Sequence, residues 1–157
     1  MSIRILQQTD TSFAHEKIQF SLSGYCFDFG PRGAKDDPTG LITAPGHIGG
    51  PRAAVRQADT VVRNIWTEGV LALEWVAIAT IMVEVHPHFD DEKYNVASHN
   101  CMTYTRMAGA RAESAIHRYI NGRSLGSQIE NLTYDLAANS DSVLTAHFDS
   151  MANGGGY

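Results

Sequence analysis

The chain has 157 residues, of which 43% are hydrophobic and 18% charged, with a formal net charge of −5. That size fits a single domain over residues 1–157 with one core, and the composition is that of an ordinary soluble globular protein. Its 12 Lys and Arg residues are scattered singly, without the basic stripe that nucleic acid requires, so nucleic acid is not expected as a partner.

The opening stretch "MSIRILQQTDTSF" lacks the long apolar run of a Sec signal peptide. Synthesis in the cytoplasm is expected, with export left to a dedicated secretion machine. The first clear element is "FAHEKIQFSLSGYCFDFGP". Ile18, Phe20 and Leu22 alternate with polar residues, Ser23-Gly24 offers a tight turn, and Tyr25, Phe27 and Phe29 resume the alternation. This is a β-hairpin pattern ended by Gly30-Pro31. With Ser23 and Gly24 as the loop, His15, Lys17, Gln19, Cys26 and Asp28 share the face opposite the apolar residues.

"RGAKDDPTGLITAPGHIGGPR" follows, with three prolines and five glycines, and reads as a surface loop or a lid. "DTVVRNIW" has the β-branched character of a strand. Thr67-Glu68 resembles a helix start, and apolar residues fill most positions from Val70 to Val85. Glu74 and Glu84 interrupt that run, which suits a core helix and not a membrane span. "HPHFDDEK" reads as a polar connector, with His86 and His88 in a solvated loop. Tyr94, Asn95 and Val96 form a short extended piece before Cys101.

From Cys101 to Asn121 the apolar spacing suits a helix, stopped at Asn121-Gly122. "SQIENLTYDLAAN" and "SDSVLTAHFDSM" read as two shorter helices, each begun by a serine. The tail at 153–157 is expected to fray. A β-rich first half and an α-rich second half indicate an α+β fold, a small antiparallel sheet with packed helices.

Two cysteines make no disulfide framework, and a Cys26–Cys101 bridge is disfavoured without an export signal. Nor is there the Cys/His spacing of a zinc site. Cys101 instead stands where chemistry is cheap to arrange. Unpaired N–H groups at a helix start favour a thiolate, and an imidazole nearby can take and return a proton. Among seven histidines, His15 is the sharpest partner because a strand holds it rigidly. His47 lies in glycine-rich surroundings, and His99 is two residues from Cys101, where it could line the cleft.

The ordered set of "SFAHEKIQF", "YCFDFGP", a "TE"-started helix and Tyr94, Asn95, Val96, Asn100 and Cys101 resembles the circularly permuted papain-like cysteine hydrolases. These are related to the NlpC-like cell-wall peptidases. They include PPPDE-type deubiquitinating peptidases, lecithin–retinol acyltransferase-like enzymes and bacterial toxin and effector amidases. The likeness covers roughly residues 12–120 and rests on short motifs.

It implies a permuted papain-like fold and an amidase or peptidase acting through a thioester on Cys101, with His15 as base. Neither metal nor organic cofactor is required. The backbone N–H of Cys101, with a side chain such as Asn100, would hold the oxyanion. A third residue often orients the histidine in such enzymes. Asp28 is on the correct face, but two-residue hairpin pairing sets it opposite Gln19, about 13 Å along the strand from His15. Gln19 and His47 remain alternatives.

The implied substrate is a peptide or peptidoglycan-like amide, and an effector of this kind would meet an immunity or inhibitor protein. Deubiquitinase-like proteolysis and lipid acyl transfer on the same fold are the alternatives. Against all of these stands a non-enzymatic binding module, in which Cys101 is a structural thiol, His15 and Asp28 are surface strand residues and Asn100 merely caps the helix.

Overall fold

The structure, a computed structural model, describes residues 2–9, 15–31, 44–90, 93–95 and 99–154. It is α+β. Six strands form an antiparallel sheet in the order β5-β1-β2-β3-β4-β6, with β1 at Ile3–Gln8, β2 at His15–Phe20, β3 at Tyr25–Pro31, β4 at Ala44–Gly49, β5 at Asp59–Trp66 and β6 at Lys93–Tyr94. Three helices follow the same chain order: α1 (Leu71–Thr80), α2 (Cys101–Ile120) and α3 (Ser127–Gly154). The core joins Ile3, Ile5, Ile18, Phe20, Phe27 and Phe29 of the sheet to Val76, Ile78, Ala108, Ala112 and Leu144 of the helices.

The hairpin forms, but its turn is longer than the Ser23-Gly24 pair. Phe20 pairs with Tyr25, so Ser21 to Gly24 make a four-residue loop. Gly24 adopts φ 83°, a conformation that costs a glycine little. The amides of Leu22 and Ser23 donate to the buried carboxylate of Glu74 at 3.0 and 2.9 Å. A side chain from α1 thereby holds the loop in place. The longer loop shifts the register by two residues; it keeps the face assignments within the strands but removes Leu22 from the apolar face into the turn, where it is exposed. Asp28 now lies opposite Lys17, not Gln19.

Two strands were not anticipated. Ile3–Gln8 pairs between β2 and β5, although its sequence alternates too briefly to read alone. The irregular stretch proves to contain β4, which carries His47; residues 32–43 of that stretch lie outside the described residues. Helix α1 begins at Leu71 behind Val70, which gives no side-chain cap, so Thr67 does not start it. After Thr80 the helix widens to a π-turn over Ile81–Val85 and tightens to a 3-10 turn over His86–His88, where Pro87 cannot continue the ladder.

Gly109 in the middle of α2 has a packing reason. A Cβ there would stand 2.7 Å from the Arg63 guanidinium and 2.8 Å from Ile65 Cδ1, so its absence lets α2 lie close on β5. The expected pair of C-terminal helices is also present: α3 breaks at Asn139, whose φ and ψ are −157° and 61°. The helix continues to Gly154, and the last three residues of the tail lie outside the described ones. Among the described residues, no helix is long and apolar enough to cross a membrane.

Candidate active site

Asn100 sets the start of α2. Its side-chain oxygen accepts from the amides of Met102 and Thr103 at 2.9 and 3.1 Å, and Thr103 Oγ1 accepts from the Asn100 amide at 2.8 Å. This reciprocal cap, worth about 1 kcal/mol, makes Cys101 the first residue of the helix. Its sulfur therefore sits at the positive end of the helix, whose first amides are partly taken up by the Asn100 cap. The amide of Glu16, on β2, also donates to Cys101 Sγ at 3.4 Å. Both cysteines are free thiols.

His15 and Asp28 meet because of the shifted register. Lys17 and Asp28 are partners, so His15 is a diagonal neighbour of Asp28 on the same face. His15 Nε2 and Asp28 Oδ2 are 2.8 Å apart. Their side chains are 27% and 23% exposed, which leaves the pair open on one side. With Nε2 committed to Asp28, Nδ1 is the ring nitrogen available to the sulfur. Burial by itself would lower the His15 pKa. The hydrogen bonds to Asp28 and Cys101, and the charges of both partners, outweigh it and raise the value from 6.5 to about 9.

Glycine makes room for this arrangement. Gly49 of β4 lies opposite Asp28, and a Cβ there would fall 2.0 Å from Asp28 Oδ1. No other residue allows the carboxylate to lie over that strand. Gly30 likewise lies beside the imidazole, with its Cβ position 3.8 Å from His15 Cε1.

The remaining candidates fall elsewhere. Gln19 accepts from Arg4 Nε at 2.6 Å and pairs with Cys26. His47 is exposed on β4, opposite Gly30. His99 stacks on Phe89 with ring centroids 4.5 Å apart, and meets Phe29 edge-on. Its ring is half-buried against this aromatic pair. Of the three proposed orienting residues, Asp28 is the one hydrogen-bonded to His15.

No family model matches the chain, and neither does any curated protein or solved structure.

Two features escaped the sequence reading. Tyr94 on β6 is buried, and its hydroxyl is hydrogen-bonded to both the amide and the sulfur of Cys101. Burial first, then the charge and hydrogen bond of Cys101, push its pKa up to about 12. The signal was in view, since Tyr94 opens the "YNV" piece, but a tyrosine beside a strand reads first as core. The second feature is His86, expected in a solvated loop and in fact 1% exposed. It lies 2.7 Å from His147 Nε2 and 2.8 Å from the Tyr104 hydroxyl. Burial pushes both histidines down, His147 to about 4, so the pair is neutral at physiological pH. His88 is exposed, as expected. Among the described residues, no group of three or more His, Cys, Asp or Glu side chains could hold a metal ion.

Proposed function

We propose that the protein is a cysteine-dependent amide hydrolase, an amidase or peptidase working through a thioester. One observation carries the reading: a single imidazole, His15, is hydrogen-bonded to Asp28 at 2.8 Å and to the sulfur of a helix-opening cysteine. With its pKa near 9, His15 stays an imidazolium at neutral pH, and a cation beside a sulfur at a helix start is what a thiolate needs. Asp28 orients the ring and balances its charge, as the third member does in nucleophile–base–acid triads.

In this mechanism the Cys101 thiolate attacks the substrate carbonyl. The Cys101 amide and the Tyr94 hydroxyl, bonded to each other at rest, would exchange that bond for the oxyanion as it forms. Asn100 Oδ1 is engaged in capping, so this residue supports the site chiefly by fixing the helix start. His15 passes its proton to the leaving amine as the thioester forms. It then accepts a proton from the water that resolves the thioester. Because Cys101 is only 2% exposed, the residues over the sulfur must part for a substrate to enter.

The order of these residues along the chain supports kinship with the permuted papain-like hydrolases, and a peptidoglycan cross-link is the favoured substrate for a compact effector delivered by a secretion apparatus. An immunity protein would be its partner. Two assays test the reading. Iodoacetamide should alkylate Cys101 rapidly at neutral pH in the wild type and slowly in His15→Ala; equal, slow rates would remove the dyad. Purified peptidoglycan and ubiquitin conjugates, each with Cys101→Ala as blank, then identify the amide that is cut.

A further inference from the structure

Glu16 touches helix α2 at two heights. Its amide donates to Cys101 Sγ at 3.4 Å, and its carboxylate accepts from the Thr105 hydroxyl at 2.5 Å. Thr105 stands four residues after Cys101, one turn along the same face of α2. Glu16 is also the neighbour of His15 on β2, so the two side chains leave the strand on opposite faces. One residue is therefore bonded to the nucleophile's helix at two points while its neighbour supplies the base.

The chemistry of this contact is unusual for a core position. Glu16 is 9% exposed and Thr105 1%. A buried carboxylate is costly even when hydrogen-bonded, and apolar side chains would join β2 to α2 without that cost. A single contact would still let the helix slide or turn against the strand. Two contacts a turn apart fix both its height and its rotation.

Resting on the reading of Cys101 and His15 as nucleophile and base, we propose that Glu16 is a positioning residue. Through its amide and its bond to Thr105 it holds the Cys101 sulfur in register with the His15 imidazole. Neither side chain of the Glu16–Thr105 pair touches substrate; the pair acts through the distance it keeps.

The test uses the full chain and measures Cys101 alkylation by iodoacetamide across pH, alongside thermal melting. Thr105→Val keeps the shape and removes the hydroxyl. It should react about tenfold more slowly at pH 7 and lose the wild-type pH profile, while Thr105→Ser restores both. A folded Thr105→Val protein with the wild-type rate and profile overturns the assignment. So does one whose melting falls while the profile stays put, because packing alone would do that. If the valine variant does not fold, Thr105→Ala is read by the same criteria. Failure of the underlying dyad looks different: His15→Ala would then leave the alkylation rate unchanged. If only the Glu16 assignment is wrong, His15→Ala slows the reaction and the Thr105 variants do not.

Discussion

The two cysteines are equally buried, at 2% exposure each, and are otherwise unlike. Cys26 is the second residue of β3, its backbone bonded to Pro51 and Ala53. Burial first, then the nearby Asp28 charge, pushes its thiol up to about 12. Cys101 opens a helix, accepts the Glu16 amide and faces an imidazole that is itself held by a carboxylate. Burial therefore does not set the proposed nucleophile apart from the other thiol. Donors and cations around the sulfur do.

The sharpest way to break this contrast is to remove its cation. His15→Ala should lower both hydrolysis and Cys101 alkylation at neutral pH by about 100-fold or more, leaving Cys101 as unreactive as Cys26; kinetics with peptide mapping of the alkylated residue would check it. Gly49→Ala is a subtler strike at the same site. Its Cβ would displace the Asp28 carboxylate, so the His15 pKa should fall from about 9 toward 6.5, as read by NMR titration, and catalysis should drop by about tenfold or more.

The folded protein binds the His15 proton more tightly than the unfolded chain does. The stability this contributes is complete below about pH 6.5 and disappears as pH rises through about 9. Melting temperatures of wild type and His15→Gln should accordingly converge across that interval; a gap that widens with pH would contradict the assignment. The smallest effect belongs to the other cysteine. Cys26→Ala should cost about 1 kcal/mol in denaturant unfolding and leave Cys101 alkylation unchanged.

How much of this was legible depended on whether the cause was local. The helix start at Cys101 could be read because Asn100 and Thr103 act within one turn. The hairpin could be read from its alternation, and so could the face shared by His15 and Asp28. Their contact could not, because the four-residue turn is held by Glu74, about fifty positions further along the chain. Strand β4, "APGHIG", carries the residues that strands usually avoid. Its glycine at position 49 is there to admit a carboxylate, a reason visible only once the strands are paired. His86 beside Pro87 looked like a loop because its partners, Tyr104 and His147, come from two later helices. The distances that matter are set by contacts remote in sequence.

The most direct test of the central claim is the titration of His15 itself, followed by NMR on histidine-labelled protein, in the wild type and in Cys101→Ala. A pKa near 9 that falls when the sulfur is removed is the outcome that follows from a base poised between Asp28 and Cys101. An ordinary value near 6.5, indifferent to the loss of Cys101, would contradict it.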